Sequence, residues 1–292
     1  MGASKGVPQA VIAISSQVVR GAVGNRAVVF ALQTLGHPVW AVPTVTLSWH
    51  PGHGPATRIV PPAEAFAAMI DDLCRAPWLH EVGAVISGYL GEPGQAAAIA
   101  KLIDAVRTGN PDALYVCDPV IGDLGGLYVP EGTAEAIRDR LLPLASVATP
   151  NRYELAWLSG AALADNAALI DAALALGPKR VLVSSAFAMT RGNTGNLFLS
   201  GRHALLAEHR IVENAPNGLG DLLGAVFLAR ILAGQSDDKA LQSATASVFD
   251  ILARSVRRGA DELTLASDAD CLSAPMAMVT LRHLVHPSRA RP

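Results

Sequence analysis

Short apolar runs alternate along this chain with longer segments whose apolar residues recur every three or four positions. The short runs predict buried strands at residues 10–14, 39–42, 82–86, 114–117, 146–148, 181–184 and 196–199. The longer segments predict helices at residues 25–35, 62–74, 94–108, 132–142, 153–158, 166–176, 221–232 and 239–257. Alternating strands and helices form right-handed βαβ units. The pattern therefore predicts an α/β fold with a mostly parallel central sheet flanked by helices.

Polar motifs follow the predicted strands at the point where each strand ends. They are Ser15-Ser16, Ser87-Gly88-Tyr89, Asp118-Pro119, Thr149-Pro150-Asn151 and Ser184-Ser185. Ligands of parallel α/β sheets bind beyond the carboxyl ends of the strands. We therefore expect these motifs to meet at one edge of the sheet and to form the binding site.

The segment at residues 43–54 follows neither a helical nor a strand period. It is rich in Pro and Gly and contains Trp49, His50 and His53, which predicts a small β-flap over the substrate site. The two histidines have no third ligand nearby in the sequence. We therefore expect them not to hold a metal, and contact with substrate is the better functional interpretation.

The long apolar helix near the C-terminus opens with the sequence Pro-Asn-Gly-Leu-Gly-Asp at residues 216–221. Free N–H groups at a helix start bind anions, and glycine lets the backbone approach a ligand closely. Gly218, Leu219 and Gly220 would hold a phosphate, and Asp221 would take a proton from an attacking hydroxyl. This arrangement predicts phosphoryl transfer. The structural alternative is an ordinary acidic residue near a helix N-terminus.

Composition narrows the choice of protein class. Of the 292 residues, 51% are hydrophobic and 16% are charged, and the net charge of −2 indicates neither a nucleic-acid nor a membrane partner. No apolar run reaches membrane-spanning length, and the three cysteines form no CxxC pair, so a cytoplasmic protein is expected. We expect one domain over residues 1–285 and a disordered tail over 286–292.

With these motifs placed, the chain resembles the pyridoxal kinases of the ribokinase-like superfamily over roughly residues 10–260. The resemblance depends on several stretches in one order, each of them weak alone. They are Ser15 to Val19 with Gly24-Asn25, Trp40 to Gly54, Ser87 to Gly91, Cys117 to Asp123, Thr149 to Asn151 with Glu154, and the glycine turn before Asp221. It implies a three-layer ribokinase-like fold and ATP-dependent phosphorylation of the 5′-hydroxymethyl of pyridoxal or another B6 vitamer.

The resemblance also implies roles on the substrate side of the site. Ser16 and Thr44 would hold the pyridine ring, and Tyr89 would pack against it. Gly218 to Gly220 would form the anion hole, with Asp221 as the catalytic base. Each hydroxyl has a structural alternative, because Ser and Thr also cap loops.

On the nucleotide side, the resemblance assigns Asp118 and Glu154 to Mg²⁺ and its waters, and Asn151 and Ser184 to the nucleotide. Oxygen ligands suit Mg²⁺, and the phosphates of ATP need their charge neutralised. Asp118 before Pro119 also fits a strand end, and Glu154 fits a capping carboxylate three residues after Asn151. A monovalent cation such as K⁺ and a homodimer are further implications of the resemblance.

Three residues depart from the family pattern near the expected substrate: Gln17, Arg20 and Ala22. Arg20 is compatible with a more anionic substrate, so vitamer preference stays open. The alternatives are a hydroxymethylpyrimidine kinase, a sugar kinase of the same fold, or a non-catalytic B6-binding protein. Asp221 stands where hydroxymethylpyrimidine kinases often carry Cys, and the intact acids at positions 118, 154 and 221 argue against lost catalysis.

Overall fold

A computed structural model describes residues 9–201 and 203–285. Its strands are β1 (Ala10–Val18), β2 (Val39–Leu47), β3 (Arg58–Ile59), β4 (Val82–Ser87), β5 (Leu114–Cys117), β6 (Gly122–Asp123), β7 (Gly126–Leu127), β8 (Val147–Ala148), β9 (Arg180–Ala186), β10 (Asn193–Ser200), β11 (His203–Arg210) and β12 (Thr280–Leu284). Its helices are α1 (Asn25–Thr34), α2 (Ala63–Cys74), α3 (Gln95–Gly109), α4 (Glu131–Ala136), α5 (Arg152–Ser159), α6 (Asn166–Ala175), α7 (Leu219–Leu232), α8 (Asp237–Arg257) and α9 (Asp270–Ser273). The helices follow the predicted segments closely.

Within the described residues, ten strands form one sheet in the order β12-β11-β10-β9-β8-β5-β4-β1-β2-β3. The block from β9 to β2 is parallel, and β10, β11, β12 and β3 join it antiparallel. The predicted α/β class with a mostly parallel sheet is therefore confirmed. The remaining pair, β6 and β7, forms a separate hairpin.

Helices cover both faces of the sheet, so the central strands are apolar on both sides. In β1, Val11 and Ala13 pack with α1, α7 and α8, whereas Ile12 and Ile14 pack with α2 and α3. A third cluster joins α5 and α6 to β9, β10 and β11. The result is three layers, as the family resemblance implies.

Several predicted boundaries were wrong. β1 continues past residue 14 to Val18 because its polar residues still pair with β2, and β2 itself extends into the predicted flap as far as Leu47. The predicted helix at 132–142 is split, because α4 ends at Ala136 and is followed by one π-helical turn and one 3₁₀-helical turn.

The sequence pattern missed the strands near the C-terminal end of the chain. β11 (His203–Arg210) has a buried apolar run of only four residues, Ala204 to Ala207, between polar residues, and β12 (Thr280–Leu284) is short and mostly exposed. The expected tail at 286–292 lies outside the described residues. Among the helices of the described chain, none combines the length and the apolar character that crossing a bilayer requires.

Candidate active site at the carboxyl edge of the sheet

The glycine turn lies at the start of α7, as the sequence predicts. Gly218 is the N-cap residue with φ +95°, and a Cβ built there would lie 2.2 Å from the Ala22 carbonyl oxygen. Gly220 differs, because a Cβ at this exposed position would meet nothing within 4 Å. Open space therefore lies beside Gly220, at a helix start whose first N–H groups have no partner within the helix and can bind an anion.

Asp221 lies in the first turn of α7 and is partly buried. Its Oδ2 accepts a hydrogen bond of 2.9 Å from the Gly24 amide, which belongs to the loop after β1. Burial raises the pKa of Asp221 to about 6, and the Gly24 hydrogen bond acts in the opposite direction. A carboxylate with this pKa suits a general base near neutral pH.

Asp118 follows β5 directly and is buried, with 7% of its surface exposed. Burial raises its pKa well above the ordinary value, and the charges of Glu154 and Asp221 raise it further. The Thr149 hydroxyl follows the neighbouring strand β8 and lies close enough to Asp118 to oppose the rise in its pKa. The geometry of its buried Oγ1 is nevertheless not that of a hydrogen bond to any described residue. Three carboxyl groups therefore share this site.

Glu154 holds the backbone of the site together. Its Oε2 accepts a hydrogen bond of 2.8 Å from the Asn151 amide, and the Asn151 side chain accepts from the Glu154 amide in return, forming a capping box at α5. Its Oε1 accepts a 3.0 Å bond from the Ile121 amide. Glu154 therefore has the capping role that the sequence offered as a structural alternative. Burial nevertheless raises its pKa to about 8, against the effect of these amides.

The substrate-side hydroxyls are less free than the sequence suggests. Thr44 is fully buried, and its hydroxyl donates a 2.6 Å hydrogen bond to the Tyr89 carbonyl. Ser16 is buried against Gly24, where a Cβ would lie 2.3 Å from the Ser16 oxygens. Tyr89 is half-buried and packs partly against Val18, Val23, Val45 and Leu47. Of these three residues, only Tyr89 is more than slightly exposed.

A narrow cavity between the acids is lined by residues that the sequence reasoning missed. Ser15 and Asn25 border it together with Ser87, Asp118 and Asp221. The Ser15 hydroxyl accepts from the Tyr89 amide at 3.1 Å, and the Asn25 side chain donates to the carbonyls of Ser15 and Val42. The family resemblance implied a ring contact for Ser16, whereas its neighbour Ser15 borders this cavity.

Tyr128 is a second residue that was missed. It follows the β6–β7 hairpin and keeps 49% of its surface exposed, and partial burial together with the charges of Glu154, Asp118 and Asp221 raises its pKa. The turn glycines at 122, 125 and 126 were the available signal for a hairpin here.

Ser184 lies at the nucleotide side of the proposed site. It is partly exposed near the end of β9, and its amide donates to the Pro150 carbonyl, which places it beside Asn151. The next residue, Ser185, is exposed with φ +56°. The structure therefore brings Ser184, Asn151 and Glu154 together, as the sequence predicts.

The flap is built from the second half of β2, the short strand β3 and a tight turn at Pro51–His53. The His50 Nδ1 accepts from the Gly52 amide at 3.1 Å, whereas the His53 Nε2 lies 2.8 Å from the Glu262 Oε1. The two histidines therefore have different partners. Gly52 approaches Asn217, beside the glycine turn.

Arg20 is already paired with acids of this chain. Its guanidinium donates to both oxygens of Asp261, at 2.7 and 2.9 Å, and lies 3.8 Å from Glu262. The suggestion that Arg20 favours a more anionic substrate is not supported by this geometry, because its charge is met within the protein.

One further cluster of possible metal ligands is present in the described residues, formed by Asp268, Asp270 and Cys271. Arg254 and Arg258 pair with its carboxylates, and Thr264 donates to Asp268. The charge of the cluster is thus met by cations of the protein itself, and its role is structural.

Comparison with known proteins identifies the family. A family model described as phosphomethylpyrimidine kinase matches residues 61–265. A pyridoxal kinase PdxY of Rubrobacter xylanophilus is 36% identical over 281 residues, covering 94% of this chain and 97% of the relative. The chain belongs to the pyridoxal kinase family. A second pyridoxal kinase PdxY, from Granulibacter bethesdensis, is 38% identical and covers 90% of this chain and 96% of its own length.

The fold of this pyridoxal kinase family member matches a solved structure of the same kind. The pyridoxal kinase of Leishmania donovani in complex with ADP and pyridoxamine aligns with a TM-score of 0.89 at 29% identity, covering 95% of this chain and 100% of the other. The resemblance to pyridoxal kinases and the ribokinase-like fold are both confirmed.

Proposed function

We propose that this chain is a kinase that transfers the γ-phosphoryl group of ATP to the 5′-hydroxymethyl of pyridoxal. Asp221 takes the proton of that hydroxyl as its oxygen bonds to the γ-phosphorus. The bond from the γ-phosphorus to the bridging oxygen breaks, and ADP leaves. The products are pyridoxal 5′-phosphate, ADP and the proton that Asp221 releases. Other B6 vitamers with the same hydroxymethyl group are further candidate substrates.

The observation that carries this proposal is the meeting of an anion site and a base at one helix start. The first N–H groups of α7 have no partner within the helix, open space lies beside Gly220, and Asp221 follows in the same helical turn. Developing negative charge on the transferred phosphoryl group would be stabilised by those amides. Pyridoxal kinases with this fold bind ADP and B6 vitamers according to the solved relatives, which agrees with such a site.

The residues present fit a divalent cation, which we propose is Mg²⁺. Asp118 is a buried carboxyl that makes no ion pair in the described residues, and burial raises its pKa. Glu154 accepts from the Ile121 and Gly122 amides at Oε1 and from the Asn151 amide at Oε2, and we propose that it reaches the ion through water. Bound there, Mg²⁺ would neutralise charge on the ATP phosphates. Asn151 and Ser184 would contact the nucleotide from the same edge.

A monovalent cation such as K⁺ is a further proposal. The Thr149 hydroxyl is buried beside Asp118 and lacks a hydrogen-bond partner among the described residues. A hydroxyl oxygen next to a carboxylate is a donor set that suits a hard cation. Titration of K⁺ and Na⁺ against activity would test this part separately.

On the substrate side, we propose that Tyr89 packs against the pyridine ring and that Ser16 and Thr44 shape the pocket. The flap would cover the ring and exclude water from the phosphoryl group.

The test is ADP release from ATP with a panel of alcohols that contains pyridoxal, pyridoxine, pyridoxamine, hydroxymethylpyrimidine and ribose. Each ADP signal is matched by direct detection of the phosphorylated alcohol. Phosphorylation of pyridoxal in preference to hydroxymethylpyrimidine and ribose is the expected result. Binding of pyridoxal without any product would contradict a kinase and favour the non-catalytic alternative.

Hydroxymethylpyrimidine kinase activity is the second candidate, since the matching family model carries that description. Asp221 argues against it, because those enzymes often carry Cys at this place. The same substrate panel decides between the two.

We also propose a homodimer in the cytoplasm. The described cysteines are all free, which fits a reducing compartment, and pairing is what the family resemblance implies. Sedimentation at micromolar concentration should give a species of twice the chain mass of 30.3 kDa. A species of 30.3 kDa alone would contradict the dimer.

A further inference from the structure

Glu262 lies in the loop after α8. It contacts two segments of the site that are 240 and 209 positions away in the sequence. Its Oε2 accepts a 3.0 Å hydrogen bond from the Ala22 amide, and its Oε1 lies 2.8 Å from the His53 Nε2. The side chain is only 14% exposed. Since an ionised carboxylate only accepts, the His53 ring donates in this pair.

The first of these contacts anchors the loop that surrounds the catalytic base. A Cβ built at Gly21 would lie 2.7 Å from the Glu262 Oε1, so the loop backbone packs directly on this carboxylate. Two residues after Ala22, the Gly24 amide donates to Asp221. The Ala22 carbonyl also fills the space where a side chain at Gly218 would lie. The position of this loop therefore sets the surroundings of both the base and the anion hole.

The second contact anchors the flap. His53 ends the tight turn Pro51–His53, and Gly52 in the same turn approaches Asn217, next to the glycine turn. Through His53, the Glu262 carboxylate holds the tip of the flap against the edge of the site that carries Asp221. One carboxylate thus ties the flap to the loop that holds the base.

We propose that Glu262 is a positioning residue that couples flap closure to the placement of Asp221. It contacts neither of the reacting atoms and acts through Ala22 and His53. The inference deepens the proposed kinase function and rests on it for its kinetic consequences. It assigns to a loop near the C-terminus a role in excluding water and in orienting the base.

Asp261 offers a matched control. It is the adjacent acid and also pairs with Arg20, but its side chain is 61% exposed and it forms no hydrogen bond with Ala22 or His53 within the described residues. Replacing it removes the ion pair with Arg20 and leaves both Glu262 contacts, to Ala22 and to His53, in place.

The experiment compares Glu262→Ala with Asp261→Ala. For Glu262→Ala we expect kcat/KM for pyridoxal to fall by roughly tenfold to 10²-fold, the cost of a small displacement at a reacting centre. KM for pyridoxal and the ratio of ADP to pyridoxal phosphate should both rise, while KM for ATP stays within about twofold. Asp261→Ala should match the parent. Glu262→Asp should recover part of the loss.

A double-mutant cycle with His53→Ala tests the proposed route. His53→Ala alone should reproduce the rise in KM and in futile ATP hydrolysis, with a smaller loss of kcat because the Ala22 anchor remains. In that background, Glu262→Ala should add less to KM than it does in the parent. Full additivity would overturn the coupling through the flap.

Hydrogen exchange gives a readout that does not depend on activity. Amides at 20–24 and 50–54 should exchange faster in Glu262→Ala than in Asp261→Ala. Equal exchange and equal kinetics in the two variants would overturn the inference. If Glu262→Ala does not fold, Glu262→Gln and His53→Ala carry the same test, and parental behaviour in both overturns it. A parent chain that fails to phosphorylate pyridoxal would instead contradict the proposed function, and the exchange result would still decide the anchoring.

Discussion

At the scale of single residues, the site concentrates negative charge where little water is present to screen it. Asp118, Glu154 and Asp221 all have raised pKa values, and in each of them burial is the largest cause. Asp221 is shifted to about 6, so it is mostly ionised at neutral pH and can accept a proton. The Gly24 amide keeps this pKa from rising further.

Asp221→Asn should lower kcat by about 10²–10⁴-fold while ATP still binds, because the amide cannot take the proton of the substrate hydroxyl. In the parent, kcat/KM should fall as pH drops below about 6, where Asp221 becomes protonated, and this acid limb should be lost in the variant. Steady-state assays across pH and calorimetric ATP titration are the measurements. Exposed Asp139, replaced by Asn, is the control. A variant with near-parental kcat would remove Asp221 from its proposed role.

At the scale of elements, the first turn of α7 uses its two glycines differently. Gly218 needs a positive φ and leaves no room for a side chain against Ala22. Gly220 lies in the helix and leaves room for a side chain only on its exposed side. One glycine is therefore required by the protein backbone, and the other by the ligand that is expected in front of it.

Gly220→Val should keep the fold and reduce turnover, because the new side chain would occupy the space into which a phosphate must come. Gly218→Ala should lower the melting temperature, since its Cβ would collide with the Ala22 carbonyl and its backbone would be strained. Circular dichroism melting and kcat separate the two effects. Unfolding of Gly220→Val would show that this glycine is structural as well.

The flap is the second element with a distinct prediction. The Trp49 indole donates to the Gly54 carbonyl at 3.3 Å, and His50 caps the turn through Gly52, so both hold the flap in shape. Replacing Trp49 and His50 together with Ala should raise KM for pyridoxal and the ratio of ADP to product, with little change in ATP affinity.

Trp78→Ala is the control for the flap, because Trp78 is also exposed, at 60%, but precedes β4 at the opposite end of the sheet. Paired assays of ADP and pyridoxal phosphate are the measurement. If both parameters in the double variant match those of the parent, the flap is a passive surface loop.

At the scale of the whole molecule, the sheet brings the acids together from separate parts of the chain. Asp118 follows β5, Glu154 follows β8 and Asp221 follows β11. Since β11 is antiparallel to β10, which is antiparallel to β9, it runs in the direction of the parallel block and ends at the same edge. Without a cation, this arrangement buries negative charge, which costs stability.

The stability of the protein should consequently depend on pH and on divalent metal together. The pKa of Glu154 is raised to about 8 from an ordinary 4.5, so its contribution is fully present below pH 4.5 and is lost as pH rises through 8. Asp118 is shifted in the same direction. In EDTA, the melting temperature should therefore fall from pH 5.5 to pH 8 more in the parent than in Glu154→Gln.

Mg²⁺ binds ionised carboxylates, so it should raise the melting temperature more at pH 8 than at pH 5.5, and less in Glu154→Gln than in the parent. Melting curves with EDTA and with Mg²⁺ at both pH values are the measurement. An equal effect of Mg²⁺ in parent and variant would argue against a metal site that includes Glu154.

Local pattern was sufficient for the alternation of strands and helices, the glycine turn of α7 and the place of Asp221. These features repeat over a few residues and follow from the geometry of one helix or strand. The capping box of Asn151 and Glu154 was readable for the same reason, because its partners lie three positions apart.

Only the tertiary structure decided which polar groups remain available to a ligand. Arg20 meets Asp261 across 241 positions, and Ala22 meets Glu262 across 240, so no local pattern relates them. The Thr44 hydroxyl is used by the Tyr89 carbonyl, which becomes its neighbour only when β2 and the loop after β4 pack together. Residue type and spacing determine what a side chain can do. The hydrogen bonds and ion pairs that the side chain forms in the fold determine whether it is still available to bind a ligand.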